Sequence, residues 1–359
     1  MTMTRISIMS ASLLLFLSAS AQAGLFLFAE IDRNPNIITH PTGYTGGNGQ
    51  HLEISVCIDP GSERGSDLEI PVQNAIQVWN RLNPMVGNVV RPNNDLEFTA
   101  YDVESVLLHE IGHCIGLAHP NLASESASKS DPPLTIDEQS YAKTLRGGNN
   151  EFDLNPGIDD VIGSREDLRG DDVNLNWFQR GVNNPFSMPS KIDSTTYTTD
   201  VSQLPQGHTW VEIAAFDVWT LRSVSPTVAV MFQGIFNRET RRELSHDDAA
   251  MVRLGMAGTD RIQDTDKDYT FELQYGGIRT GCNINVSMGG NGFGFCAVGA
   301  SSGGGLPNNH FRITSANITV GSTSNFNWHF NTVLREDPEP EPEPEPDPNV
   351  IFFDRFQKL

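Results

Sequence analysis

Residues 109 to 119 read His-Glu-Ile-Gly-His-Cys-Ile-Gly-Leu-Ala-His. On an α-helix His109 and His113 stand one turn apart, offset by about 40°. Both rings can therefore reach one metal ion at roughly 2.0–2.1 Å. Glu110 sits one step round the helix, near such an ion without pointing at it. That placing suits a general base for an attacking water better than it suits a ligand. Gly116 follows three residues after His113, and His119 three after that. A straight helix cannot return His119 to the same ion. Glycine can take positive φ, end the helix and swing the chain back. Three neutral imidazoles leave the fourth position of a tetrahedral Zn²⁺ open, which is the catalytic rather than the closed structural arrangement.

Every fixed position of the pattern His-Glu-x-x-His-x-x-Gly-x-x-His is met, and the stretch resembles the metzincin clan of zinc endopeptidases. The resemblance implies Zn²⁺ on His109, His113 and His119, Glu110 as catalytic base, and a protein or peptide as substrate. It also implies an α/β catalytic domain whose helices pack on a twisted, mostly parallel sheet above the cleft. A methionine turn is expected below the metal. Met188 (Asn-Pro-Phe-Ser-Met-Pro) and Met231 (Val-Ala-Val-Met-Phe-Gln-Gly) are the candidates. Met231 is preferred because an apolar stretch precedes it and Leu244-Ser245-His246-Asp247-Asp248 comes soon after. In that segment Ser and Asp are spaced to open a helix. A Met turn followed by such a segment resembles the matrixin branch of the clan.

Several features depart from that branch. Pro120 after the third histidine looks more like serralysins, yet their Gly-rich calcium repeats are absent. Gln233 stands where a fifth, tyrosine ligand would be. No Pro-Arg-Cys-Gly segment is present, so latency through a thiolate on the metal is not supported. The long gap from His119 to Met231 implies an insertion over residues 120–225.

Strands and helices must position these residues. His51 to Cys57 alternates polar and apolar, a strand pattern. Val72, Ala75, Ile76 and Trp79 recur at helical spacing, with Pro71 near the start and Pro84 past the end. Leu96 to Tyr101 is a strand candidate, and Asp102 can cap the helix that carries the histidines. The order strand, helix, strand, zinc helix matches the upper half of a metzincin catalytic domain. Tyr269–Tyr275, Asn283–Val286, Phe311–Val320 and Phe326–Val333 read as further strands in a stretch rich in Gly, Asn, Ser and Thr. The expected organisation is a signal peptide over 1–23, a catalytic domain over 24–260, a small β-rich region over 261–334, a linker over 335–348 and a tail over 349–359. The alternation of Phe326, Trp328 and Phe330 points to core packing ahead of a ligand platform.

The 359-residue chain carries 45 Asp and Glu against 24 Lys and Arg, a formal net charge of −21. That balance opposes nucleic-acid binding, which needs cationic contacts to phosphate. Arg5, the apolar run from Ile6 to Leu17 and the small-residue site Ala21-Gln22-Ala23 form a secretory signal, too short to span a bilayer. No later segment has a spanning length, so a secreted protein is expected, with surface association through the tail as one option. The four cysteines, Cys57, Cys114, Cys282 and Cys296, suit two disulfides in an exported chain. Of three pairings, Cys282 with Cys296 and Cys57 with Cys114 is favoured; a free Cys114 beside the metal is the alternative.

Two acidic loops repeat a Gly, Asp, apolar, Ser/Thr, Asp order: one holds Asp159 and Asp167, the other Asp260, Asp264, Asp266 and Asp268. Ca²⁺ is a candidate ligand there, against solvated turns. The run Pro338 to Pro346 alternates Pro and Glu, an extended polyproline II spacer. The functional expectation is a secreted zinc metalloendopeptidase. Alternatives are an exported adhesion or polymer-binding protein with a vestigial metzincin core, and a zinc hydrolase of non-peptide amides.

Overall fold

The fold is given by a computed structural model, which describes residues 23–29, 34, 36–47, 49–90, 97, 99–119, 145, 146, 152–155, 168, 169, 177–180, 188–200, 203, 225–232 and 234–328. It is mixed α/β, with a mostly parallel central sheet and three helices among the described residues. The main elements, in chain order, are β1 (Ile38–His40), β2 (Gln50–Ile58), α1 (Glu69–Arg81), α2 (Val103–Cys114), α3 (His246–Met256), β3 (Tyr269–Ile278), β4 (Ile284–Met288), β5 (Gly294–Ser302) and β6 (His310–Val320). The sheet order is β3-β2-β4-β6-β5, and β1 also pairs with β6. All neighbours are parallel except β5, which runs antiparallel to β6 at the outer edge.

Apolar periodicity places α1 and α2 together. Val72, Ala75, Ile76 and Trp79 form the buried stripe of α1, and the Trp79 indole N–H donates to Leu108 O of α2 at 2.9 Å. Leu52, Ile54, Val56 and Ile58 of β2 share the same core. Asp102 caps α2 through the Ser105 N–H and accepts from Arg242 Nη2 and Nε, at 2.5 and 2.9 Å. Ser245 and Asp248 form a reciprocal capping box on α3.

Three expectations are corrected. No strand of the central sheet lies between α1 and α2: among the described residues only Val89–Val90, paired with Thr240–Arg241, and Tyr101–Asp102, paired with Phe326–Asn327, occur there. Of the Leu96–Tyr101 strand, Tyr101 alone is in a strand among the described residues. Next, the β-rich region after residue 260 is no separate appendage. Its strands β3 and β4 flank β2 on both sides, with Leu273 opposite Ile54 and Ile284 opposite Val56. Chain order and composition suggested a boundary, but pairing the backbone hydrogen-bonding groups on both edges of β2 requires neighbours that arrive later in the chain. Finally, the disulfides are Cys57–Cys282 and Cys114–Cys296, not the favoured short-loop pairing. Register brings β2 beside β4, and α2 lies across β5, so each cysteine faces a partner far away in sequence. Two disulfides are compatible with an extracellular protein, and no described helix is long and apolar enough to cross a membrane. Residues 1–22, most of 120–225, Phe330, the linker and the tail lie outside the described residues.

Where β1 meets β6 and β3, two histidines are buried together. His40 Nε2 lies 2.8 Å from His310 Nδ1, and its Nδ1 lies 3.3 Å from the Tyr269 hydroxyl. Burial, then the neighbouring His310, holds His40 well below its ordinary value of 6.5. Burial likewise brings His310 down to about 4. As pH falls, the unfolded chain takes up these protons first, so the stability is present above about pH 6.5 and is lost toward pH 4. His310→Gln should flatten this slope. Urea denaturation at pH 7 and pH 5 measures it, and an equal loss in variant and wild type would refute the assignment.

Candidate metal centre

The three histidines and Glu110 come from α2 and the turn that ends it. Ile115 caps the helix, and Gly116 follows with φ of 116°. The Leu117 N–H donates to Gly112 O and the Gly116 N–H to His113 O, both at 3.0 Å. This is the paired hydrogen-bond pattern of a Schellman turn, with glycine at the left-handed position. A Cβ on Gly116 would stand 2.4 Å from Thr39 O. Backbone conformation and space therefore both demand glycine there. The reversed chain is then held by the N-terminal segment: Ala118 N–H donates to Leu25 O at 3.0 Å, and Leu27 N–H to Gly116 O at 2.9 Å.

This turn brings the three imidazoles together as expected. The Nε2 atoms of His109, His113 and His119 form a triangle with edges of 3.0, 3.2 and 3.2 Å. A tetrahedral ion at roughly 2.0–2.1 Å from each nitrogen requires edges of about 3.3–3.4 Å, so the triangle fits a zinc-sized ion closely. The His109 Nδ1–H donates to Val230 O at 2.7 Å and the His113 Nδ1–H to Leu117 O at 2.8 Å. Both bonds fix the tautomer that turns an unprotonated Nε2 toward the shared point. Burial is the main cause that lowers all three: His109 well below the usual range, His113 below it, and His119 to about 3. Neutral imidazole is the metal-binding form. Among the described residues these three form the sole group of His, Cys, Asp or Glu side chains able to hold a metal ion together.

Glu110 is 4% exposed and shares the cleft with the histidines. Burial pushes its carboxyl up to about 8, partly offset by the Cys296 backbone N–H, which donates to it. Its Oε2 is buried without a hydrogen-bond partner. A dication among the imidazoles would favour the charged carboxylate and draw this value down.

Met231 is 3% exposed and lies in a turn closed by the Phe232 N–H on Ala229 O at 3.0 Å. It packs under α2 at Gly112, where a Cβ would meet its sulfur at 2.2 Å. Asp248 reaches beyond its own helix cap and accepts from the Val230 and Met231 amides at 2.7 and 3.1 Å. The other methionine candidate, Met188, packs against the core and does not line the cleft. The acidic loop is not brought together as a cation site. Asp260 Oδ1 accepts the Ile262 N–H, Asp268 Oδ2 accepts the Asp264 N–H, and Asp266 pairs with Lys267. The carboxylates of Asp260, Asp264, Asp266 and Asp268 instead close local turns or pair locally, and among the described residues they are not gathered into a group that could hold a metal ion. Asp159 and Asp167 lie outside the described residues.

Sequence reasoning missed the far wall of the cleft, made by Phe293, Gly294, Phe295 and Cys296 at the start of β5, and the N-terminal segment that contributes Leu27. It also missed Arg241, which lines the cleft, ion-pairs with buried Glu239 at 2.5 Å and donates to Ala229 O and Gly234 O. Only Cys296, one of four cysteines, gave a signal for that wall. No protein-family model, curated protein or solved structure matches the chain.

Because Gly116 sets where His119 returns, Gly116→Ala should weaken Zn²⁺ affinity by about 10–100-fold, the range found when a ligand's support is lost. Competition against a chromogenic chelator measures this. Unchanged affinity would show that the turn does not position His119.

Proposed function

We propose that this chain is an exported zinc-dependent endopeptidase of the metzincin, matrixin-like kind. The observation that carries the reading is the convergence of three neutral imidazole nitrogens beside a buried, half-satisfied carboxylate in one cleft. His109, His113 and His119 would hold the ion. Zn²⁺ there would lower the pKa of a coordinated water toward about 7 and polarise the scissile carbonyl.

The chain's own groups do the rest. Glu110, with Oε2 unpartnered, takes the proton of the attacking water and passes it to the leaving amine. The His109 and His113 bonds to Val230 O and Leu117 O hold the ligand rings against rotation. Val106, Val230, Phe232, Ile235 and Phe293 give the cleft an apolar lining that suits an apolar substrate side chain and limits water. Arg241 adds little net charge, since Glu239 pairs with it. β5 is an outer strand, and no strand among the described residues pairs with its other edge. An extended peptide can add to such an edge through main-chain hydrogen bonds, which favours a polypeptide over a small amide.

The test separates base from ligands. Glu110→Ala should retain stoichiometric zinc while casein hydrolysis falls by about 10²–10⁴-fold, the usual contribution of a positioned general base. Chelator treatment of the wild type should abolish cleavage, and added Zn²⁺ should restore it. Wild-type rates from the variant would exclude Glu110 as the base. A wild-type protein that holds zinc but releases no peptide would favour a vestigial core serving adhesion.

A further inference from the structure

Cys296 belongs to both sides of the cleft. Its sulfur is bonded to Cys114, the residue after the ligand His113. Its backbone N–H donates to the Glu110 carboxylate. In the sheet Cys296 lies opposite Ile318 of β6, and β5 is an outer strand whose other edge no strand among the described residues covers. The approach is close. A Cβ on Gly294 would stand 2.8 Å from Val106 Cγ1 and 3.0 Å from Glu110 Oε1. The β5 backbone therefore rests directly on α2. Oε2 has no hydrogen-bond partner, and Oε1 is the atom that the β5 backbone approaches.

We propose that Cys296, through its disulfide to Cys114, is a positioning residue for Glu110. The disulfide keeps the β5 backbone against α2, the Cys296 N–H fixes Oε1, and Oε2 is left as the atom that receives the proton. The proposal rests on the peptidase reading of the site. It separates the base from the metal ligands, because the rings of His109 and His113 are oriented by Val230 O and Leu117 O and not by β5. Loss of the staple frees the carboxylate to rotate away from its productive placing, while the ligand triangle stays. A misplaced base costs turnover more than substrate binding.

The other disulfide supplies the control. Cys57–Cys282 spans 225 residues against 182 for Cys114–Cys296. Chain-entropy reasoning gives the longer loop at least equal weight in stability, yet neither of its cysteines lines the cleft.

The experiment compares full-length wild type, Glu110→Ala, Cys114→Ala/Cys296→Ala and Cys57→Ala/Cys282→Ala. It reads zinc content, amide hydrogen exchange at residue 296, and kcat and KM on a fluorogenic peptide. Glu110→Ala, with both disulfides intact, should speed exchange at the residue-296 amide by about tenfold or more. Cys114→Ala/Cys296→Ala, which keeps a backbone N–H at 296, should speed the same amide, retain zinc and lose about tenfold or more in kcat with KM changed by no more than about threefold. Cys57→Ala/Cys282→Ala should keep kcat. Residue-296 exchange that ignores Glu110→Ala overturns the proposal, as does an equal kcat loss in the two disulfide variants. If Cys114→Ala/Cys296→Ala does not fold, the Glu110→Ala exchange still decides. A wild type that cleaves no peptide sinks the peptidase reading, whereas the exchange comparison still reports whether Cys296 holds Glu110.

Discussion

Three unprotonated imidazole nitrogens are held within 3.0–3.2 Å of one another. Their lone pairs face a shared point, and such an arrangement repels itself unless a cation sits among them. Much of the surrounding structure serves to keep that arrangement in place. His109 is oriented by Val230 O, and the Val230 amide is in turn held by Asp248. Asp248 also accepts from the Ser245 N–H and hydroxyl, so the cap of α3 and the orientation of the His109 ring share one buried carboxylate. His113 is oriented by Leu117 O, in a turn that exists because Gly116 can take positive φ against Thr39 O. Two short hydrogen-bond chains thus run from separate elements to a common centre.

Among the described residues the centre draws on five parts of the chain: residues 25–27, α2 with its turn, 229–232 with 234 and 235, Arg241, and 293–296. Its geometry depends on which elements touch and not on the order in which they occur. β2 alone precedes α2 in the middle of the sheet, and β3, β4, β5 and β6 come after α3. Short-range features, the helix, the glycine turn and the capping box, are therefore combined with a sheet completed late in the chain.

That division marks what could be read from the sequence. The spacing of Val72, Ala75, Ile76 and Trp79 identified α1, and Asp102 and Ser245 marked the starts of α2 and α3, because caps and helical periodicity are set within a few residues. His109, Glu110, His113 and His119 were legible for the same reason, as one turn of helix and one glycine decide their meeting. Strand membership was not. The pattern from His51 to Cys57 predicted a strand, but its neighbours at Leu273 and Ile284 lie more than two hundred residues on, and alternation carries no partner information. β5 escaped altogether: Gly294, Gly299 and the exposed Phe295 break the apolar-in, polar-out alternation of an ordinary half-buried strand. Gly294 is there because α2 needs the space, so the residue that hides the strand is the one that lets it form the cleft.

The disulfides reflect this layout. Contacts between distant segments carry a loop-closure cost that grows with separation, though slowly. The pairing suggested by sequence would have joined Cys57 to Cys114 and Cys282 to Cys296, each within one part of the chain. The observed pairs join each early cysteine to a late one, across 225 and 182 residues. One secures β2 to the entry of β4, the core of the sheet. The other secures α2 to β5, the two walls of the cleft. In a chain whose sheet strands β3–β6 come after its helices, these are the two places where the late part must be fastened to the early part, and cross-links there constrain the unfolded ensemble most where native contacts are least local. The cleft is thereby closed by a covalent bond one residue from His113, so the spacing between the helix that carries Glu110 and its facing strand is fixed by chemistry as well as by packing.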